Sequence, residues 1–308
     1  MPRPSAILIA GPTASGKSGL AMALAQRLDG VVINADSMQV YAELRVLTAR
    51  PSFADEARVP HALYGQVEGT EAYSTGKYAR DAALAIADAQ ASSRLPIVVG
   101  GTGLYFKALL EGLSPIPPVR DDVRAHWRDR EKEHGAHALW TTLMEDDPQM
   151  ALRLDRNDGQ RIVRALEVFH STGQSLTEWQ RWPGIPVLDE AQTVRLLVNP
   201  ERDDIRQRCD ARFDVMMDAG ALEEVQALAA LNLSPDLPVM RALGVKPLMQ
   251  LLDASLSRDA AIAQAKAETR QYVKRQSTWL RRNMNAWNSL SAQQIDSLDD
   301  IIVSFIDC

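Results

Sequence analysis

Residues 5–30, SAILIAGPTASGKSGLAMALAQRLDG, decide the fold class. The apolar run 5–10 is broken by Gly11 and Pro12, the pattern of a short buried strand that feeds a turn. From Lys17 onward Leu20, Leu24 and Leu28 recur at i, i+4 and i+8, and Gly30 supplies a stop, so a helix follows the turn. Between strand and helix lies GPTASGKS (11–18), which fits the pattern G-x-x-x-x-G-K-[ST]. Gly11 and Gly16 let backbone N–H groups converge on an anion, and the helix starting near Lys17 adds its positive end. Lys17 and Ser18 supply a cation and a magnesium-facing hydroxyl. A phosphate cradle is therefore expected from Gly11, Pro12, Thr13, Ala14, Ser15, Gly16, Lys17 and Ser18, with Ser18 as the residue facing a metal.

The same alternation continues outward. A strand at 31–36 (VVINAD), a helix at 78–92, a strand at 95–101 (LPIVVGG) and a helix from 102 predict an α/β fold with a parallel sheet covered by helices on both faces. Pro115, Pro117 and Pro118 interrupt this rhythm. Helices follow at 121–135, 136–146 and 159–173, the last with Ile162, Leu166 and Phe169 on one face and Gly173 as its stop. After a second break at 182–190, residues 193–199 (TVRLLVN) return to strand, and the rest is helical: 203–220, a short helix to about 231, and a long one from Ser257 to about Arg282. The organisation expected is a core of residues 1–118 and 191–308, with residues 119–190 as a mostly helical insertion and a helical C-terminal region.

Composition narrows the function classes. The chain has 308 residues, 46% of them hydrophobic and 24% charged, with a net charge of -6, so a nucleic-acid partner has to be met by a local basic patch. Cys209 and Cys308 are far apart and form no C-x-x-C pair, which gives neither a disulfide framework nor a metal site and predicts a reducing, cytoplasmic setting. No apolar run is long enough for a membrane span, and the start is too short for a signal peptide, so no membrane partner is expected.

Three further stretches carry chemistry. A nucleotide hydrolase of this loop class ends another buried strand in an acid that holds magnesium. Here LPIVV ends in Gly100, Gly101 and Thr102 instead. The acid near a strand end is Asp36 in NADSMQVY (34–41), and strand carboxyl ends face the ligand crevice in an open parallel sheet. Asp36 is thus either a general base or the cap of the turn through Ser37 and Met38. In GGTGLY (100–105) the glycines let backbone approach a ligand and Thr102 offers a hydroxyl, or Thr102 caps a helix. Residues 266–282 set six cations (Lys266, Arg270, Lys274, Arg275, Arg281, Arg282) against the single acid Glu268. Arg270, Lys274 and Arg281 share a face, either a nucleic-acid contact or a solvated stripe. Trp127, Trp140, Trp179 and Trp182 are core residues or stacking platforms.

Taken in order, GPTASGKS, NADSMQVY, GGTGLYFKAL, DGQRIVRALEV (158–168), RALGVK (241–246) and TRQYVKRQSTWLRR (269–282) resemble the tRNA dimethylallyltransferase family, from the first loop to about residue 283. The resemblance implies a nucleotide-kinase-like P-loop core, and transfer of a dimethylallyl group from dimethylallyl diphosphate to N6 of the adenosine on the 3′ side of the anticodon, with Mg2+ assisting. It implies that the insertion grips the tRNA anticodon stem-loop and that the protein is a monomer. Residue by residue, the loop 11–18 would hold the diphosphate, Asp36 would be the base and Thr102 would reach the reacting region. Ser37, Met38 and Gln39 would complete a tRNA-contacting turn. Arg124 and the run Gln160, Arg161, Ile162, Val163 and Arg164 would touch tRNA in the insertion, and Arg241, Lys246, Lys274, Arg275 and Arg281 elsewhere. Arg208 and Arg212 lie on a matching helix, one of them facing the diphosphate. The chain departs from the family's D-I-G-T-A-K-P at Arg45, Leu47 and Arg50, and a common histidine pair is reduced to His61. The competing readings are a small-molecule kinase using ATP and a nucleic-acid-binding regulator that senses a nucleotide.

Overall fold

The computed structural model describes residues 4–306 apart from 292, 293, 295 and 296; Cys308 lies outside these residues. Six strands, β1 (Ala6–Ala10), β2 (Gly30–Asn34), β3 (His61–Ala62), β4 (Leu95–Gly100), β5 (Thr193–Val198) and β6 (Asn288–Leu290), form one sheet in the order β3-β2-β4-β1-β5-β6, and every pairing is parallel. β1 is central and completely buried. Its side chains alternate between the two faces: Leu8 and Ala10 join one core with Ile33, Val98, Tyr78, Phe106 and Leu280. Ile7 and Ile9 join another with Leu20, Leu24, Ile97, Ile301 and Ile306. A strand buried on both faces has to be a continuous apolar run, and AILIA is one.

Helices α1 (Lys17–Leu28), α2 (Phe53–Arg58) and α3 (Thr75–Ala91) connect the first four strands, and α4 (Gly103–Glu111) follows β4. Beyond them come α5 (Asp121–Asp146), α6 (Pro148–Ala151), α7 (Gly159–Thr172) and α8 (Leu176–Trp179), then α9 (Arg202–Asp218), α10 (Ala221–Ala230), α11 (Val245–Leu252), α12 (Arg258–Asn283) and a terminal turn, α13 (Leu298–Ile301). α9 to α12 build a third core around Phe213, Val225, Leu248 and Ala265 that also holds Val40, Tyr41 and Leu44.

Two compact units divide the chain: residues 1–110 with 187–308, and 111–186. The second is a helical unit with its own core of Trp127, Leu139, Leu143, Ile162, Leu166 and Val168. Its first and last segments meet where Gly112 and Gly184 pass close enough that a β-carbon on either would strike the other's backbone. The unit thus begins and ends a few residues before the proline-based boundaries at 119 and 190. The helices expected at 121–135 and 136–146 are both present: α5 is two helical segments divided at Gly135, whose backbone (φ 75°, ψ 168°) is not helical. Trp127 is core, while Trp182 is exposed.

Candidate functional site: a phosphate cradle facing a carboxylate

The cradle is built by the turn between β1 and α1. Ala14 (φ 64°) and Gly16 (φ 93°) both take the left-handed conformation, which turns successive N–H groups toward one side. Gly11 is required: a β-carbon there would lie 2.7 Å from Ser15 Oγ and 2.8 Å from the Val198 carbonyl oxygen. Lys17 Nζ donates to the Pro12 carbonyl at 3.1 Å, folding the side chain back over the loop. Ser15 is fully buried with its Oγ unpartnered, whereas Ser18, the next residue of α1 after Lys17, is exposed.

Burial pushes the Lys17 ammonium down to about 8; the Asp36 charge opposes this and the Arg212 charge adds to it. Burial likewise lowers Arg212, against the pull of Cys209 and Asp36. Lys17, Arg212 and Asp36 therefore feel one another's charge. Arg208, one turn earlier on α9, is exposed and belongs to solvent. Of the two arginines, Arg212 is the one the fold brings to the cradle. Cys209 packs under the loop with Ile205 and Val273, its Sγ 3.9 Å from the Thr13 carbonyl oxygen, and burial raises its thiol pKa.

Asp36 sits two residues beyond β2, which ends at Asn34 and not at Asp36 as the pattern VVINAD predicts. The reason is the Asn34 side chain. Its Oδ1 accepts from Asp36 N–H at 2.8 Å and its Nδ2 donates to the carbonyls of Asp36 at 3.0 Å and Leu63 at 3.1 Å, which peels the chain off the sheet. One Asp36 oxygen, Oδ1, accepts from Met38 N–H at 2.9 Å, so the turn-capping role is real, and among the described residues the second oxygen has no hydrogen-bond donor. Thr102 does not cap α4 with its hydroxyl; Oγ1 accepts from Ser37 N–H at 3.0 Å, and Thr102 N–H donates to the Ala35 carbonyl at 3.1 Å. The turn after β4 is thereby locked to the turn bearing Asp36.

The glycines of GGTG meet other parts of the chain at close range. A β-carbon on Gly100 would run into the Ala35 backbone, one on Gly101 into Gln276 Nε2, and one on Gly103 into the Trp279 ring. They seat α12 and the β2 turn. Gln276, which sequence reasoning did not single out, is 6% exposed, accepts from Thr13 N–H at 2.9 Å and donates to the Gly101 carbonyl at 3.1 Å. Its signal was in the pattern: Thr269, Val273, Gln276 and Leu280 follow one helix face, and only a partnered amide is tolerated there. The phenols of Tyr64, Tyr105 and Tyr272 are all raised, first by burial and next by the Asp36 charge, so an aromatic wall surrounds the carboxylate.

The remaining expected residues divide. Gln39 donates to the Thr48 and Ala49 carbonyls and so holds the following loop, with Met38 packed on the third core. On α12, Lys266 and Arg270 are spent on α9, Lys266 Nζ 2.6 Å from Asp214 and Arg270 Nη1 2.7 Å from Asp210. Arg270 thus leaves the proposed basic face, while Lys274, Arg275 and Arg281 are exposed. Arg241 is exposed, at 3.9 Å from Asp236, and Lys246 is exposed at the start of α11. In the helical unit Gln160 is exposed, and Arg124, Arg161 and Arg164 are tied to Asp121, Asp158 and Glu167. Ile162 and Val163 are core at 0% and 6% exposure, so neither side chain is available to a partner; the apolar face of α7 claims them.

The departures at 45–50 are absorbed by α10. Both oxygens of Glu224 are used: Oε1 accepts from Arg45 and Val46 N–H, and Oε2 from Leu47 N–H at 2.8 Å. Leu47 fills the third core against Gly244, Arg50 Nη1 donates to the Tyr41 and Ala42 carbonyls, and Arg45 lies over the Phe53 ring and 3.2 Å from Glu56.

Comparison with known proteins gives one answer. The IPP transferase family model matches residues 39–283 and the isopentenyl transferase model residues 4–61. A tRNA dimethylallyltransferase of Azorhizobium caulinodans is 53% identical over 92% of this chain and 91% of its own length, and one of Parvibaculum lavamentivorans is 51% identical over 98% and 96%. Among solved structures, a tRNA isopentenylpyrophosphate transferase of Bacillus halodurans shares 30% identity with a TM-score of 0.68, covering 96% of this chain and 95% of its own. A eukaryotic dimethylallyltransferase acting on tRNA shares 29% with a TM-score of 0.81, covering 96% and 75%.

Proposed function

Because this chain belongs to the tRNA dimethylallyltransferase family, we propose that it transfers the dimethylallyl group of dimethylallyl diphosphate to N6 of the adenosine 3′-adjacent to the tRNA anticodon, with Asp36 as base and the loop 11–18 as diphosphate cradle. The observation that carries the reading is that Lys17 and Arg212 both feel one carboxylate, Asp36, beyond the ends of the neighbouring strands β2, β4 and β1. In that arrangement N6 attacks the first carbon of the prenyl chain, the carbon–oxygen bond to the diphosphate breaks, and the N6 proton passes to Asp36. The amine lone pair is delocalised into the purine, so proton removal as the bond forms is worth roughly a hundredfold to ten-thousandfold. The departing diphosphate gains charge, which Lys17, Arg212 and the loop N–H groups stabilise best where water is scarce.

Among the described residues there is no cluster of three or more His, Cys, Asp or Glu side chains able to hold a metal. A magnesium ion assisting the diphosphate would have the Ser18 hydroxyl, exposed near the start of α1, as its protein ligand. When bound, it would supply charge neutralisation at the leaving group.

For tRNA, the exposed cations Lys274, Arg275 and Arg281 on α12, with Arg241 and Lys246 near α11, offer phosphate contacts, and Arg124, Gln160, Arg161 and Arg164 offer them on the helical unit. The target base has to leave its stack, at a cost of a few kcal/mol that a single-stranded loop keeps low. Among the described residues no helix is long and apolar enough to cross a membrane. A single chain acting in the cytoplasm is the unit we take. The test mixes the protein with labelled dimethylallyl diphosphate, magnesium and unmodified tRNA. Label is expected in the tRNA; formation of ADP from ATP without prenyl transfer would support the kinase instead.

A further inference from the structure

The geometry points to Gln276 as a positioning residue that sets the distance between the diphosphate cradle and the carboxylate turn. This rests on the prenyl-transfer reading only for its consequences in turnover. Three observations meet at one side chain. The amide oxygen of Gln276 accepts from Thr13 N–H inside the cradle, and the amide nitrogen donates to the carbonyl of Gly101. Gly101 precedes Thr102, whose hydroxyl holds Ser37 N–H next to Asp36. One buried amide therefore spans the end of β1 and the end of β4, and through Thr102 reaches the β2 turn. The fit is specific, because a β-carbon on Gly101 would collide with Gln276 Nε2 and one on Gly103 with Trp279, the next ring along the same helix.

A side-chain amide is uncharged and both accepts and donates through two rigidly separated atoms, which is what this span uses. Without it the partly buried Thr13 N–H and the buried Gly101 carbonyl would each lose this partner, and the two loops would lose their common strut. Asp36 serves the attacking amine and the cradle serves the leaving group, so the strut fixes the two ends of one displacement. Misplacement of about 1 Å at such a site costs on the order of a hundredfold in rate. The cations Lys274 and Arg275 directly precede Gln276 on the solvent side of α12, so the strut also roots the exposed basic face in the reaction centre.

Two variants test this. Gln276→Met keeps length and removes both hydrogen bonds. It is expected to weaken inorganic diphosphate binding by about tenfold, measured calorimetrically, and to lower kcat by about ten- to a hundredfold with tRNA KM within about twofold of the parent. Gln276→Glu keeps the acceptor but can donate to Gly101 only when protonated. Burial beside a carbonyl holds that carboxyl above its ordinary range, so activity relative to the parent should rise as pH falls. Diphosphate binding and kcat both within twofold in the Met variant would overturn the proposal, as would tighter diphosphate binding from a freed Thr13 N–H. A Glu variant whose relative activity is flat with pH, or a Met variant whose only defect is in tRNA KM, would reduce Gln276 to a packing role for α12. If the parent enzyme fails to transfer label yet Gln276→Met still loses diphosphate binding, the transfer reading falls and the strut stands.

Discussion

Lys17 is held at about 8 against an ordinary value of 10.5, and this makes the cradle's affinity for diphosphate a predictable function of pH. The difference amounts to roughly 3 kcal/mol by which burial disfavours the ammonium in the ligand-free protein. A bound diphosphate places negative charge against the ammonium and returns its pKa above about 10. Binding at about pH 7, where Lys17 is already mostly protonated, then takes up about 0.1 proton at this site. At about pH 9 it takes up about 0.9 proton, and affinity falls about tenfold, or about 1.4 kcal/mol, between the two. Calorimetry of inorganic diphosphate binding in buffers of different ionisation enthalpy reads the proton count directly. Lys17→Arg supplies the reference, because its guanidinium stays charged and the protonation of diphosphate itself cancels in the comparison. The sign for stability follows from the same group. Its folded pKa lies below the unfolded one, so the unfolded chain holds the extra proton between about pH 8 and 10.5 and the ligand-free fold gains stability as pH rises through that window. Lys17→Met should abolish that gain and melt higher than the parent at neutral pH while losing diphosphate binding. A proton uptake at about pH 9 that matches Lys17→Arg to within about 0.2 would refute the burial of this charge.

Asp36→Asn preserves the oxygen that accepts from Met38 N–H and removes only the basicity, so turnover should fall by roughly a hundredfold to ten-thousandfold with tRNA affinity unchanged; near-normal turnover would remove Asp36 from the base role. Arg212→Ala should weaken diphosphate binding at least about tenfold and Arg208→Ala hardly at all, and equal effects would show that the fold's separation of the two is immaterial. Lys274→Ala with Arg281→Ala should reduce the slope of log affinity for tRNA against log salt by about 1.4, whereas Arg270→Ala, already paired with Asp210, should leave it alone. Glu224→Ala strands three backbone N–H groups of residues 45–47 and should cost about 2–3 kcal/mol in urea unfolding; a loss under about 0.5 would mean the loop rearranges freely.

Most of the sheet was legible because its strands are long apolar runs bounded by glycine or proline, and the helices because leucines or capping residues marked them. Two strands escaped. β3 is only His61–Ala62 and β6 only Asn288–Leu290, too short for any period to appear, and each exists because a longer neighbour offers a free edge. α11 escaped because its eight residues follow a glycine at φ 89° and contain a proline, local signals that argue for a turn. At the site, the cradle and Asp36 were visible as types of residue at meaningful spacings. What could not be read was which polar residue pairs with which at long range. Gln276 lies 263 positions from Thr13, and Glu224 lies 179 from Arg45, distances at which no pattern operates. The same limit explains the basic stripe, where sequence counts charges but only the packing of α9 on α12 shows that Arg270 and Lys266 are already answered.

The division of charge in the pocket carries the mechanistic argument further than any single residue does. A carboxylate paired directly with Lys17 or Arg212 would be a weak base, and a cation paired with it would be a weak anchor for a leaving group. Among the described residues none of the three joins an ion pair, although each feels the others through space. The Asn34 turn and the Ser37–Thr102 hydrogen bond hold Asp36 on the β2 side, while the Pro12 carbonyl holds Lys17 over its own loop. The fold thus keeps Asp36 within electrostatic reach of Lys17 and Arg212 while tethering each to its own turn, so that on the proposed reading base and cations act on one substrate without collapsing on each other. In a transfer where the proton leaves one end of the reacting system and the diphosphate leaves the other, that separation is what lets both departures be assisted at once.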